Sequence, residues 1–155
     1  MFFSRFAAAG WLFASTFALA IEAGEAAPAV KILADRGGSV VYVDFWASWC
    51  VPCRQSMPAL DALYRKHGPA GFAVVGVNKD VTEEDAKRFI QRVPVGFPLV
   101  ADEGDSLARA FGVKAMPSGY LIDRAGIVRY VHRGFTSETA AHIEAEVQRL
   151  LGEAR

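Results

Sequence analysis

The chain contains 155 residues, of which 52% are hydrophobic, and its 17 Lys and Arg residues balance its 17 Asp and Glu residues. A chain without net charge has no basic field with which to release counterions from nucleic acid, so we expect no nucleic-acid partner. The apolar content is too high for a disordered chain and is sufficient to fill the core of one compact domain.

The first twenty residues have the pattern of an export signal. A run of sixteen uncharged residues, 6–21, contains Ala18 and Ala20 at the small-x-small spacing of a signal-peptidase site. As a helix this run would extend roughly 24 Å, which is less than the roughly 30 Å of a bilayer's hydrocarbon core. We therefore predict a signal peptide at 1–20, with a retained membrane anchor as the alternative, followed by a linker with a short helix at 21–37.

Residues 38–155 are predicted to form one domain in which strands and helices alternate. Two apolar, β-branched runs are typical of strands buried on both faces, and a turn at 123–126 joins two short strands into a hairpin. The predicted elements are strand 40–46, helix 50–67, strand 72–78, helix 82–92, strand 97–100, helix 106–111, strands 119–122 and 127–131, and helix 137–151, with a shorter helix at 29–35. This order predicts an α/β fold with a mixed central sheet flanked by helices on both faces.

The two cysteines of the chain, Cys50 and Cys53, lie where a predicted buried strand meets the start of a helix. Positions i and i+3 of a first helical turn share a face, so the two sulfurs are close enough to bond. Free N–H groups at a helix N-terminus, in a C-x-x-C motif, lower the pKa of a thiol from about 8.5 to roughly 3.5–7.5. We therefore predict that Cys50 is the nucleophile and that Cys53 resolves the mixed disulfide formed on it.

Other uses of a C-x-x-C motif fit this sequence less well. Covalent haem attachment needs a histidine directly after the second cysteine, where the chain has Arg54. A structural zinc site needs two further ligands at matching spacing, and a purely structural disulfide would close a loop too small to stabilise the fold much. Copper(I) binding by the cysteine pair and Met116 stays open as an alternative. Apart from the redox-active disulfide, no cofactor or metal is expected.

The residues around the cysteines resemble the active-site motif of the thioredoxin superfamily, and within it the exported oxidoreductases of the TlpA, ResA and CcmG type. Residues 43–54 read Val-Asp-Phe-Trp-Ala-Ser-Trp-Cys-Val-Pro-Cys-Arg, and residues 112–117 match the second signature of this family. The resemblance implies a thioredoxin fold. It also implies that the helix at 82–92 and the strand at 97–100 form the central αβ insertion of the TlpA branch.

The resemblance further implies a substrate-binding groove beside the cysteine pair. Pro117 is expected to be cis and to place the backbone of Met116 where an extended substrate segment can pair with it. Gly134 matches a close-approach glycine near the groove, and Trp49 is expected to shield Cys50. The residues expected to contact substrate are Trp49, Val51, Pro52, Met116, Pro117 and Gly134.

Asp44 is a carboxylate within an otherwise apolar predicted strand that leads to the cysteines. Burial would raise its pKa and suit it to accept the proton of Cys53 during resolution, a role that the resemblance supports. The alternative is an aspartate at a strand end that caps a turn. His132 follows the last predicted strand residue and is expected at the surface rather than in the chemistry.

These observations predict a periplasmic thiol-disulfide oxidoreductase that reduces disulfides in exported proteins, for example in cytochrome c maturation or oxidase assembly. Reduction in an oxidising compartment needs a membrane thiol electron donor, whereas a thiol oxidase or isomerase would need only an acceptor. The oxidase or isomerase, a copper(I)-handling protein and a redox-inert peptide-binding module are the alternatives. The partners expected are therefore cysteine-containing proteins and the membrane donor, and the chain is expected to be a monomer.

Overall fold

The structure is a computed structural model that describes residues 20–153. The helices are α1 (Lys31–Ala34), α2 (Cys53–His67), α3 (Glu83–Arg92), α4 (Ser106–Phe111) and α5 (Ser137–Gly152), and the strands are β1 (Val40–Trp46), β2 (Phe72–Asn78), β3 (Leu99–Ala101), β4 (Ser118–Ile122) and β5 (Val128–Arg133). The predicted signal peptide at 1–20 lies outside the described residues, apart from Ala20. Between residues 20 and 153, no helix has the length and apolar character needed to span a bilayer.

The five strands form one mixed sheet in the order β3-β2-β1-β4-β5. The β1 strand pairs in parallel with β2 and antiparallel with β4, so it lies at the centre of the sheet. The β3 strand lies at an edge, where Pro98 directly before it can lack an N–H donor without breaking a ladder. The predicted α/β class with a mixed central sheet is confirmed.

Side chains of β1 alternate between two apolar cores, one on each face of the sheet. Val40, Tyr42 and Trp46 pack on one face with α2, α3 and α5, and this core includes both cysteines. Val41, Val43 and Phe45 pack on the other face with α4 and with side chains around α1. A strand covered on both sides is made almost entirely of apolar residues, which explains why the bounds of β1 can be predicted from the sequence.

The segment that the sequence predicts as a linker lies against the β4–β5 hairpin. The N–H of Gly24 donates to the carbonyl of Val128, and the N–H of Val128 donates to the carbonyl of Glu25, at 2.8 and 2.9 Å. Ala26 forms an isolated bridge with Ile127. Residues 24–27 therefore run along the outer edge of the hairpin, next to the start of β5.

The predicted start of α2 is displaced in the structure. The helix begins at Cys53 rather than near Cys50, because residues 50–53 form a tighter turn in which the N–H of Cys53 donates to the carbonyl of Cys50 at 3.2 Å. Pro52 occupies the cap position with a φ of −67°, which suits the entry to a helix. Cys50 thus precedes the helix, and Cys53 is its first residue.

Candidate active site

The two cysteines are joined by a disulfide bond, with their Cα atoms 5.3 Å apart. Both cysteines are buried, and the small accessible area of the pair belongs to Cys50, which is 4% exposed, whereas Cys53 is 0% exposed. This difference in accessibility is in the direction expected for an attacking Cys50 and a resolving Cys53. The turn before α2 also places both cysteines at the N-terminal end of α2, where the positive end of the helix dipole stabilises a thiolate.

A carboxylate that no sequence motif singles out holds the loop before Cys50. Asp80, two residues after β2, accepts hydrogen bonds from the Ser48 N–H at 3.0 and 3.1 Å and from the Ser48 hydroxyl at 2.8 Å. It also accepts from the Asn78 side-chain amide at 2.8 Å. The predicted strand order could have indicated Asp80. Because β1 and β2 are parallel, the polar residues that follow the two strands meet at the same edge of the sheet.

Apolar side chains surround the exposed side of the cysteine pair. Trp49 and Val51 are each 65% exposed, which is unusual for large apolar residues and leaves them available to a partner. Trp49 and Met116 line a groove of about 660 Å³ that continues past α4. Pro52 is half-buried between Val51 and the first residue of α2.

The loop before β4 lies on the other side of this groove. The peptide bond between Met116 and Pro117 is cis. The N–H of Gly134 donates to the carbonyl of Pro117 at 2.9 Å, so Gly134 lies beside this loop. The N–H and carbonyl of Met116 make no hydrogen bond within residues 20–153, which leaves its backbone free to pair with another chain. Of the six residues predicted to contact substrate, Trp49 and Met116 thus line one groove, and Pro117 and Gly134 are joined to each other by a hydrogen bond.

Asp44 lies in the middle of β1 and is 1% exposed. Its neighbours in the sheet are Gly76 of β2 and Gly119 of β4, and its Oδ2 atom is buried without a hydrogen-bond partner. Burial raises the pKa of Asp44 from 3.8 to about 8. The side chain alternates in phase with Tyr42 and Trp46, so it projects to the face that carries the cysteines. Asp44 therefore does not cap a turn at the end of the strand, which is the alternative interpretation of this residue.

His132 differs from expectation. It is a residue of β5, and its imidazole is mostly buried, stacked on the ring of Tyr42 with centroids 5.8 Å apart. The expected surface position is wrong because α5 covers this part of the sheet, which the local sequence around His132 does not indicate. As for metals, residues 20–153 contain no cluster of three or more His, Cys, Asp or Glu side chains arranged to hold an ion.

The sequence profile of the AhpC/TSA family matches residues 14–131 of the chain. The chain is 30% identical over 118 residues to the thiol-disulfide oxidoreductase ResA of Bacillus cereus, a match that covers 76% of this chain and 67% of that protein. It is 33% identical over 96 residues to ResA of Bacillus thuringiensis, covering 62% of this chain and 56% of the relative. The chain therefore spans between about half and two thirds of the length of these relatives.

Solved structures of thiol-disulfide oxidoreductases also resemble this chain. A Chlorobium tepidum protein described as a thiol:disulfide interchange protein DsbE superposes with a TM-score of 0.81 and 40% identity, covering 86% of this chain and 100% of that one. The thioredoxin domain of a thiol-disulfide oxidoreductase from Bacteroides vulgatus gives a TM-score of 0.72 at 26% identity, covering 83% and 99%. The thioredoxin fold inferred from the two sequence signatures is confirmed.

Proposed function

We propose that this chain, which belongs to the AhpC/TSA family and is a thiol-disulfide oxidoreductase, reduces disulfide bonds in other exported proteins. The observation that carries the proposal is the disulfide-bonded cysteine pair at the start of α2, in which Cys50 is the more accessible member and Cys53 is fully buried, on the Asp44 face of the sheet. The reducing direction rests on the resemblance to the TlpA, ResA and CcmG type. Export rests on the predicted signal peptide.

The reaction begins with the reduced pair. The Cys50 thiolate attacks a substrate disulfide, one substrate sulfur leaves as a thiolate, and a mixed disulfide forms on Cys50. Asp44, when its carboxyl is ionised, accepts the proton of Cys53, whose sulfur then attacks Cys50 and releases the second substrate sulfur as a thiolate. The substrate thiolates take up protons according to their own pKa values. The electron pair has moved to the substrate, and a membrane thiol donor restores the Cys50–Cys53 dithiol.

Asp44 is suited to this proton transfer because of its burial. A carboxyl pKa of about 8 lies close to the pKa of an ordinary thiol, near 8.5, so the proton can move between the two groups at little cost in free energy. A carboxylate with its usual pKa near 4 would be a far weaker base toward a thiol. The apolar surroundings of Asp44 therefore supply the property that the resolving step needs.

The substrate segment is proposed to lie in the groove between Trp49 and Met116 and to pair with the free backbone of Met116. Such pairing recognises an extended chain independently of its sequence, because it uses main-chain groups. Val51, Pro52, Pro117 and Gly134 complete the proposed contact surface next to the reacting sulfur. A cysteine-containing segment in extended conformation is therefore the proposed substrate, and apocytochromes and oxidase-assembly factors are examples with this chemistry.

The charges in the groove favour acidic residues near the substrate cysteine. Arg109 and Lys114 line it, are exposed, and have no ion-pair partner within residues 20–153. Lys79 also lines the groove, but it is paired with Asp102 and Asp105. The unpaired positive charges lie on the α4 side, so a carboxylate a few residues from the substrate cysteine would be attracted to that side.

The test of the chemistry uses the cysteine variants with a peptide that contains an internal disulfide. Cys53→Ser should accumulate a mixed disulfide on Cys50, detectable by mass, whereas Cys50→Ser should form none. The direction is tested by equilibration with glutathione or dithiothreitol. A potential below about −250 mV supports a reductase, and one near −120 mV would instead assign an oxidase.

Substrate charge is tested with two disulfide peptides that differ only in acidic or neutral flanking residues. The double variant Arg109→Glu and Lys114→Glu should raise KM about tenfold for the acidic peptide and leave kcat unchanged. Lys31→Glu, outside the groove, is the matched control for charge reversal. Equal effects on both peptides would contradict the proposed preference.

A further inference from the structure

A second groove, of about 880 Å³, lies next to the groove that Trp49 and Met116 line. It runs between α3 and the edge strand β3, and we call it the β3 groove. Lys79 and Asp105 line both grooves, so the two form one continuous surface. A protein bound at the cysteine pair therefore has the β3 groove within reach.

Strand β3 gives this groove an unpaired edge of the sheet. The carbonyl of Pro98 and the N–H of Asp102 both bond to β2, at 2.9 and 3.0 Å. Because main-chain groups of a strand alternate between its two edges, Leu99 and Ala101 direct theirs away from β2. Across the described residues, 20–153, these outward groups have no hydrogen-bond partner. Such an edge accepts an extended segment as one more strand.

The β3 groove also has apolar lining. Ala86 and Ile90 of α3 and Leu99 of β3 line it, and each is half-buried against the core. Val81 lines it too and is fully exposed. Large apolar side chains that are open to solvent in this way are typical of contact sites for partners. An apolar side chain of a bound segment would therefore bury surface against Ile90 and Val81.

The charged residues of the β3 groove are mostly acidic. Five carboxylates and two lysines line it, an excess of three negative charges: Asp80, Glu83, Asp102, Glu103 and Asp105 against Lys79 and Lys87. Both lysines are already in ion pairs, with Asp102, Asp105 and Glu83. Glu103 is exposed and forms no ion pair in the part of the chain that the structure describes. The β3 groove thus attracts basic residues, whereas Arg109 and Lys114 attract acidic ones to the neighbouring groove.

We infer that the β3 groove binds a second segment of the substrate protein, an extended stretch with apolar residues flanked by lysine or arginine. The inference rests on the proposed function, since this segment belongs to the protein whose disulfide is reduced. The segment pairs with the outward main-chain groups of Leu99 and Ala101, its apolar side chains contact Ile90 and Val81, and its basic residues lie near Glu103. Opposite charges in the two grooves fix the orientation of the substrate.

Binding is tested without disulfide chemistry, using a capped, cysteine-free peptide in which leucines at alternate positions are flanked by lysines. The oxidised protein should bind this peptide, and hydrogen exchange at the Leu99 and Ala101 amides should slow. Methylation of the central peptide nitrogens, or exchange of the lysines for glutamates, should weaken binding about tenfold. Absence of binding, or binding without protection of these two amides, would overturn the inference.

Two variants locate the bound segment. Ala101→Pro removes an outward N–H and keeps the hydrogen bonds to β2, so the sheet tolerates it, and peptide binding should weaken about tenfold. Glu103→Lys reverses the unpaired charge and should weaken binding of the lysine peptide about tenfold without affecting the fold. Glu84→Lys, on α3 but outside the groove lining, is the matched control. Equal affinities of Glu103→Lys and Glu84→Lys would contradict the proposed site.

The role in substrate binding is tested with two disulfide peptides, one of which carries the lysine-leucine segment on a long, flexible Gly/Ser linker. With the wild type, the segment should lower KM about tenfold at the same kcat, and with Ala101→Pro it should lower KM little. Equal KM values of the wild type for both peptides would overturn this role. If neither peptide is reduced, the proposed function fails, whereas the cysteine-free peptide still reports separately on the β3 groove.

Discussion

Replacing Asp44 with Asn should make the stability of the oxidised protein less dependent on pH. Asp44 is buried in the sheet without a hydrogen-bond partner for Oδ2, and burial raises its pKa from 3.8 to about 8. The folded protein therefore keeps a proton that the unfolded chain has already released. Because of this difference, the free energy of unfolding of the wild type should fall as the pH rises between these two values. An asparagine has no proton to lose, so the variant should lack this contribution.

The contribution of Asp44 to the free energy of unfolding is measured best between neutral and mildly alkaline pH, where other groups interfere least. Burial lowers the pKa of His132 from 6.5 to about 4, so its contribution to stability is lost as the pH falls below 6.5 and opposes that of Asp44 there. Above this value Asp44 dominates, since the disulfide-bonded cysteines do not titrate. Each pH unit is worth about 1.4 kcal/mol, so between about pH 6.5 and about pH 8.5 the wild type should lose about 2 kcal/mol relative to Asp44→Asn.

Urea unfolding of both oxidised proteins at these two pH values measures this difference. The midpoints are compared on condition that the slope of the free energy against urea concentration is the same for both proteins. Asp35→Asn makes the same chemical change at an exposed position and should follow the wild type at both pH values. If the free energies of the wild type and Asp44→Asn fall in parallel, the carboxyl is ionised in the folded protein at neutral pH. The pKa of Asp44 would then be near its ordinary value, and its carboxylate would be too weak a base to take a proton from a thiol.

Three further substitutions test the packing around the site. Gly119→Ala should lower the free energy of unfolding by about 3 kcal/mol or more, because its methyl group would collide with the Tyr42 hydroxyl; urea unfolding near wild-type values would contradict this. Asp80→Ala should speed hydrogen exchange at the Ser48 amide and slow disulfide exchange about tenfold, and unaltered protection would show that Asp80 does not hold the loop. Asp102→Asn should cost about 1–3 kcal/mol in thermal unfolding, because the carboxylate accepts two N–H groups of α4 at 2.7 and 2.8 Å; an unchanged Tm would refute that.

The elements that the sequence predicts best have strong local signals. The β1 and β2 strands match the predicted 40–46 and 72–78 because strands buried on both faces are continuously apolar. The α4 helix matches the predicted 106–111 because Gly112 ends it in the left-handed conformation, with a φ of 66°. Where the local sequence signal is mixed, the observed boundary of the element differs from the predicted one. Strand β3 begins at Leu99 rather than at 97, although the Pro98 carbonyl already accepts the N–H of Gly76.

The sequence by itself determined the chemistry available to this protein: a cysteine pair at a strand-helix junction, a carboxylate in the strand before it, and an order of elements that permits one mixed sheet. The tertiary structure alone decided which groups surround that carboxylate. Tyr42 and His132 are 90 residues apart in the chain and meet only because β4 and β5 pair beside β1 in one register, with Gly119 leaving room between them. No local pattern encodes such a contact, because it depends on the alignment of three strands and on the helix that covers them.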